Sequence, residues 1–200
     1  MLNVYLLRHG QTSWNADGNR YCGRTDVALT DVGIAQAQQV RHQLRNVDLD
    51  AVYSSPLARA WHTARIAGGD REVVKDDRLI EVDFGEWEGL TREEFIAKDP
   101  DSWHAWAENP EVARAGGTGE TGRDIIIRVN DFFEEMRTRH AGGKILVVGH
   151  NGINRLYLAY KLGMKLRDYR RIVQENSAVT LFTLDENGEL TLQLLNSKEP

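Results

Sequence analysis

Val4-Tyr5-Leu6-Leu7-Arg8-His9-Gly10 decides how this chain is read. The unbroken apolar run Val4 to Leu7 reads as a strand buried on both faces. It hands the chain directly to an arginine, a histidine and a glycine. The same arrangement returns far downstream, where Lys144-Ile145-Leu146-Val147-Val148 runs into Gly149-His150-Asn151-Gly152. In open α/β sheets, ligands bind outside the carboxyl ends of the strands. Two strands that end in histidine at that edge predict one site with two imidazoles.

Working outward, the pattern alternates between strand and helix. Residues 10–29 read as a polar loop. Thr30 caps a helix whose apolar stripe is Ile34, Ala37, Val40 and Leu44. Ala51-Val52-Tyr53 is a short second strand that ends at Ser54-Ser55-Pro56. Serine before proline predicts the next helix start there, with Leu57, Trp61 and Ala64 turned inward. Val73-Val74 is a weak third strand. Residues 85–119 read as irregular or shortly helical, and hold Trp87, Trp103 and Trp106. Thr121 and Asp124 fit a capping box, followed by Ile126, Val129, Phe133 and Met136 at helical spacing. Beyond His150, the residues Ile153, Leu156, Tyr157 and Tyr160 mark another helix. Residues 178–184 and 189–195 form a hairpin around Asp185-Glu186-Asn187-Gly188. The expected fold class is α/β, a three-layer sandwich. A mainly parallel sheet carries helices on both faces and an antiparallel edge hairpin.

Composition narrows the partners. The chain has 200 residues, 41% hydrophobic and 28% charged, and neither linker, repeat nor low-complexity tract divides it. One domain over 1–200 is expected. A net charge of -5 argues against nucleic acid held on a basic surface. The apolar runs are too short to span a bilayer, and the N-terminus has no signal-peptide pattern. No membrane partner is expected, and the location is cytoplasmic. A lone cysteine, Cys22, excludes an internal disulfide and a cysteine-based zinc site. The edge hairpin offers a strand for pairing with a second copy, a homodimer.

The residues at the two strand ends match a larger pattern. Leu7-Arg8-His9-Gly10-Gln11-Thr12-x-Trp14-Asn15 resembles the opening signature of the histidine phosphatase superfamily, which includes the cofactor-dependent phosphoglycerate mutases. Further blocks resemble that family in order: Gly23-Arg24-x-Asp26-x-x-Leu29-Thr30, then Ser54-Ser55-Pro56-Leu57-x-Arg59-Ala60-x-x-Thr63-Ala64. Next come Leu79-x-Glu81-x-x-x-Gly85-x-Trp87-x-Gly89, Gly119-Glu120-Thr121-x-x-Asp124-x-x-x-Arg128-Val129, and Gly149-His150-Asn151-Gly152. The resemblance implies a phosphoglycerate mutase-like fold and a short lid at about 90–119. It implies His9 as the nucleophile that takes the phosphoryl group. It sets Arg8, Arg59 and His150 around the phosphate, with Asn15 as a further ligand and Glu81 as the general acid/base. Thr12, Cys22, Gly23 and Asn151 are weaker candidates for touching phosphate or substrate. Serine precedes the second histidine in many members, where this chain has Gly149.

Physical chemistry supports these roles separately. Phosphoryl transfer needs alignment and positive charge around three equatorial oxygens. Two guanidiniums supply flat, permanently charged forks suited to a dianion. Their field keeps His9 unprotonated, and a neutral imidazole with one nitrogen pinned presents the other as nucleophile. His150 can donate to the oxygens as charge builds. Taken singly, Arg59 reads as a solvated helix arginine, Asn15 as a turn residue, and Glu81 as surface charge beside Asp83, Glu86 and Glu88. Spacing alone does not choose Glu81 over Asp83. His42, His62 and His140 read as surface.

Two other patterns fail on context. Gly117-Thr118-Gly119-Glu120-Thr121-Gly122 fits G-x-G-x-x-G, but no buried strand precedes it, and Arg123-Asp124 follows where a P-loop needs Lys and Ser/Thr. His9, His150, Glu81, Asp83 and His104 can be drawn as metal ligands. Two arginines beside a divalent cation are poor electrostatics, so neither metal nor cofactor is expected. The expected function is hydrolysis of a small phosphorylated metabolite. A phosphoglycerate mutase using the same phosphohistidine is the alternative, and a phospho-ligand sensor on the same scaffold is a third. The short lid favours loss of the phosphoryl group to water. Trp103, His104, Trp106 and Arg114 either contact the leaving group or, for the tryptophans, pack the lid onto the body.

Overall fold

The computed structural model describes residues 1–198, and the last two residues of the expected 1–200 unit lie outside the described residues. Among the described residues, one six-stranded sheet organises the chain, with spatial order β3-β2-β4-β1-β5-β6. Its strands are β1 (Leu2–Arg8), β2 (Ala51–Ser54), β3 (Val73–Lys75), β4 (Lys144–Gly149), β5 (Val179–Leu184) and β6 (Leu190–Ser197). The neighbours from β3 to β1 are parallel, whereas β5 runs antiparallel to β1, and β6 to β5.

The apolar runs are unbroken because the central strands are covered on both sides. Leu6 and Val147 face one core, shared with α6 (Gly122–Arg139) and α7 (Asn151–Lys161). Leu7 and Val148, next along the same strands, face the other, built with α2 (Asp31–Gln43) and α3 (Ala58–Gly68). The period of two along a strand splits each run between the two helical layers.

Helix starts follow the sequence with informative exceptions. Thr30 caps α2 through the Gly33 N–H at 3.1 Å, and Thr121 and Asp124 form the expected reciprocal box on α6. Residues 10–29 are not wholly loop. Thr12 caps a single turn, α1 (Ser13–Ala16), in a box completed by Asn15. Helix α3 begins at Ala58, later than Ser55-Pro56 predicts. Asp26 Oδ1 accepts from the Ala58 N–H at 2.8 Å, so a carboxylate from the distant loop ahead of α2 sets the start. Trp61 does not turn inward. It lies half-exposed between Arg65 and Lys75, with those cations 5.0 and 4.4 Å from its ring centroid. Ala60, Thr63, Ala64 and Ala67 take the inner face, and these short side chains let α3 lie close against the sheet. On α7, Ile153, Leu156 and Tyr157 are buried, but Tyr160 is exposed. His140 is not a free surface group, since its Nε2 meets the Tyr53 hydroxyl at 2.8 Å.

Residues 85–119 contain α4 (Arg92–Lys98) and α5 (Pro100–Glu108), and an aromatic cluster roots them. Trp87 stacks on Phe95 with centroids 4.6 Å apart, Trp103 and Trp106 pack beside it, and Trp106 Nε1 donates to the Tyr169 hydroxyl at 3.1 Å. Among the described residues, no helix is long and apolar enough to cross a membrane.

Candidate active site

The β1–β4 register brings the two histidines together. Arg8 pairs with Gly149, and the His9 N–H donates to the Gly149 carbonyl at 3.2 Å. Both chains therefore leave the sheet at one level, and the imidazole centroids stand 5.2 Å apart at 60°. His9 and His150 are both buried. The His9 Nδ1 lies 2.7 Å from the Gly10 carbonyl. A carbonyl only accepts, so Nδ1 carries the proton and Nε2 presents its lone pair.

The loop that carries this carbonyl is fixed from three sides. The Gly10 N–H donates to Thr63 Oγ1 at 2.9 Å, and that hydroxyl donates to the Arg59 carbonyl at 2.7 Å. Thr30 donates to the Gln11 carbonyl from its backbone N–H, and to Gln11 Oε1 from its hydroxyl at 3.0 Å. The Gly33 backbone packs against Gly10 and Gln11 with no room for a side chain: a Cβ on Gly33 would stand 2.2 Å from the Gln11 carbonyl oxygen. Gly10 thus serves the contact between loop and helix.

Burial pushes the His9 imidazole well below its usual value, and the Arg59 and Arg8 guanidiniums push it the same way. The sequence credits the cations with this effect, but dehydration is the larger cause. His150 is likewise held low by burial, then by Arg59 and His9. Burial lowers Arg8 to about 10.

Several buried polar nitrogens near this edge have no hydrogen-bond partner among the described residues. They are Arg8 Nε, Arg59 Nε and both ring nitrogens of His150. Arg59 commits its terminal nitrogens to the loop: Nη1 donates to Thr25 and Nη2 to Cys22 and Gly23. It holds the loop and aims one N–H elsewhere. A dehydrated donor left unpaired is costly, so this grouping is suited to an anion.

Glu81 is buried beside the start of α7. Its Oε1 accepts from the N–H groups of Val82 at 2.9 Å and Ile153 at 3.1 Å, and Oε2 accepts from Gly152 at 3.0 Å. Its backbone is held in turn by Arg128, which donates to the carbonyls of Arg78, Ile80 and Glu81 and is paired with Glu120. Asp83 instead accepts from the Gly85 N–H.

The weaker candidates divide. Asn151, the first residue of α7, lines the cavity and keeps a buried, unpartnered Oδ1. Asn15 also lines it, but its Oδ1 accepts from Thr12 and from Asn176 Nδ2. Thr12 is wholly buried with its hydroxyl committed to that same box. The Gly23 N–H is taken by the Glu88 carboxylate at 3.0 Å. Cys22 lines the cavity, and burial raises its thiol to about 11, against the pull of Arg59. Among the described residues, no group of three or more His, Cys, Asp and Glu side chains converges as metal ligands do.

The cavity, about 390 Å³, extends well beyond the phosphate end. Its lining also holds residues that sequence reading missed: Arg92, Arg155, Tyr169 and Arg170. Arg155 lies one helical turn after Asn151, so it shares that residue's face, a signal present in the sequence. Arg170 sits in a 3₁₀ segment, Leu166–Arg171, with no periodicity to mark it. Trp103 and Trp106 are buried packing residues, as the second of the two sequence readings has it. His104 is exposed, and exposed Arg114 donates to the Gly119 carbonyl.

The family model of the histidine phosphatase superfamily (branch 1) matches residues 4–198. Phosphoserine phosphatase 1 of Hydrogenobacter thermophilus is 35% identical over 97% of this chain and 92% of its own length. A phosphoserine phosphatase mutant from Entamoeba histolytica, solved with phosphoserine, superposes with a TM-score of 0.90 at 29% identity, covering 100% of this chain and 98% of that one. The α-ribazole phosphatase of Shigella flexneri superposes at 0.84 with 30% identity, covering 98% and 96%.

Proposed function

The chain belongs to the histidine phosphatase superfamily and hydrolyses phosphate monoesters, and we propose that it does so through a phosphohistidine formed on His9. The observation that carries this reading is the single hydrogen bond from His9 Nδ1 to the Gly10 carbonyl, which leaves Nε2 unprotonated beside His150. The substrate phosphorus sits in line with Nε2. As the N–P bond forms, the bond to the ester oxygen breaks, and Glu81 passes its proton to that oxygen. Water then attacks the phosphorus as Glu81 takes one of its protons, the N–P bond breaks with its electron pair returning to His9 Nε2, and inorganic phosphate leaves.

Arg8, the Nε–H of Arg59 and His150 gather charge on the phosphoryl oxygens. The three backbone N–H groups on Glu81 fix where its carboxyl points. Asn151 adds a polar contact at the rim. Thr12 and Gly23 act by shaping the loop. The substrate is a small phosphorylated metabolite, in keeping with the phosphoserine and α-ribazole phosphatases that resemble this chain. Those relatives favour hydrolysis over mutase chemistry.

Turnover of p-nitrophenyl phosphate in EDTA between pH 5 and 8, with a panel of metabolite phosphates, is the direct test. Wild-type protein is expected to release phosphate and to carry acid-labile bound phosphate during turnover, and His9→Ala to do neither. An inert wild type, or an active His9→Ala, overturns the mechanism. Mutase flux exceeding phosphate release, in a coupled 3- to 2-phosphoglycerate assay primed with the bisphosphate, overturns the preference for hydrolysis.

A further inference from the structure

The far wall of the cavity carries more positive charge than a phosphate dianion requires. Other arginines packed into the fold are matched by acids: Arg78 pairs with Asp76, Asp131 and Glu135, Arg128 with Glu120, and Arg20, on the cavity's own wall, with Asp17 and Glu94. Among the described residues, Arg92, Arg155 and Arg170 have no such ion pair, although all three line the cavity. Its acids are Glu81, already occupied by backbone N–H groups, and Glu93 on the exposed surface of α4.

These arginines also lie against aromatic rings. Arg170 lies over Trp103 at 4.5 Å and over Tyr169 at 4.6 Å, and its Nη2 is buried without a partner. Arg155 lies over Tyr169 at 5.1 Å, and its Nε is tied to the Asn151 carbonyl at 3.1 Å. Arg92 lies over Trp103 at 4.5 Å. A ring is no hydrogen-bond partner for the guanidinium edge, so these contacts hold the arginines in place and leave N–H groups such as Arg170 Nη2 for an anion that a guanidinium fork can grip. The aromatic cluster under the 85–119 segment thus serves as a base for these arginines.

We propose that Arg155 and Arg170, backed by Tyr169 and Trp103, form a subsite for a carboxylate on the alcohol half of the substrate. This rests on the phosphatase reading and narrows it to small phosphomonoesters whose leaving group is an acid. Arg8, His9 and Arg155 line the same cavity, and the Arg8 charge acts on both of the others, so the phosphate end and the Arg155 wall belong to one site. The cavity's 390 Å³ accommodates a phosphate and a short acid. A carboxylate is favoured over a second phosphate because Arg170, held between Trp103 and Tyr169, keeps only Nη2 buried and unpartnered, and the site already has a phosphate cage.

The test compares substrates that differ only in the carboxylate. Phosphoserine is paired with phosphoethanolamine, and 3-phosphoglycerate with glycerol 3-phosphate. Wild-type kcat/KM is expected to favour the acidic member of at least one pair by about tenfold or more. In Arg155→Gln and in Arg170→Gln that ratio falls toward one; Arg170→Lys, which keeps charge but loses the fork, gives a smaller fall. A wild-type ratio near one overturns the subsite, as does a ratio retained in both Gln variants while overall activity drops, which is the mark of a merely structural role. Preference for a sugar bisphosphate over its monophosphate, without preference within the carboxylate pairs, assigns the wall to a second phosphate and also overturns it. Wild-type turnover of p-nitrophenyl phosphate, lost in His9→Ala, tests the phosphatase reading separately.

Discussion

Gly33→Ala sets two physical effects against each other just behind the loop that orients His9. Gly33 is the third residue of α2, and alanine there is favoured by helix propensity by about 0.8–1.0 kcal/mol. The added Cβ would meet the Gln11 carbonyl oxygen at 2.2 Å and its nitrogen at 2.8 Å. Ordinary van der Waals contact begins near 3.4 Å, so the loop or the helix must give by about 1.2 Å. Both neighbours are backbone, and the Gln11 carbonyl is held by the Thr30 N–H at 2.9 Å, so neither swings away cheaply. Overpacking of this kind costs roughly 1–3 kcal/mol, and a clash this deep falls toward the upper end, which exceeds the propensity gain. The melting temperature is expected to fall by about 3–6 °C for a chain of this size. Gln11 follows Gly10, whose carbonyl orients His9, so kcat is expected to fall about tenfold to a hundredfold. Thermal unfolding and p-nitrophenyl phosphate turnover measure both. A Tm above wild type with undiminished kcat would refute the claim that this close approach aims the imidazole.

Other expectations concern charge and burial. His9 and His150 are held well below the ordinary histidine value. From about pH 6.5 downward, the unfolded chain therefore binds protons that the folded chain refuses, and stability present above that pH is lost as it falls, by up to about 1.4 kcal/mol per pH unit for each histidine. Urea unfolding at pH 6 and 5 is expected to show a shallower slope for His150→Gln than for wild type; equal slopes refute it. Arg59→Lys keeps the charge but cannot reach the carbonyls of Cys22, Gly23 and Thr25 together. It is expected to lower kcat/KM by about a hundredfold, and near-normal activity would show that the fork is dispensable. The Tyr157 hydroxyl is buried with no partner among the described residues. Tyr157→Phe is expected to leave the urea midpoint unchanged or raise stability by about 1 kcal/mol, and a lowered midpoint would point to a partner for the hydroxyl.

The strands, the two-sided core and the Thr121–Asp124 capping box are local consequences of residue type, and they were legible, whereas the spatial order of the strands was not. Val4 to Leu7 and Ile145 to Val148 had to be buried on both faces, and strands so covered pair in parallel beneath helices. Where prediction slipped, a distant residue had intervened. Asp26 set the start of α3, and two cations held Trp61 outward. The same division runs through the site. His9, His150 and Arg8 are marked by their place at strand ends, and Arg59 and Glu81 by their motifs.

The sequence by itself determined the sheet, its edge and the residues gathered there, because periodicity and strand ends are properties of neighbours along the chain. Only the tertiary structure decided which nitrogen of His9 is free, which candidate hydroxyls and amides are already occupied, and that Arg155 and Arg170 line the cavity without an ion pair among the described residues. Those facts depend on hydrogen bonds and dehydration between segments as far apart as Arg8 and Gln174, or Trp103 and Arg170. No local pattern encodes whether a donor's partner is protein or substrate. That is settled when folding removes water from the group and either supplies another protein atom or does not.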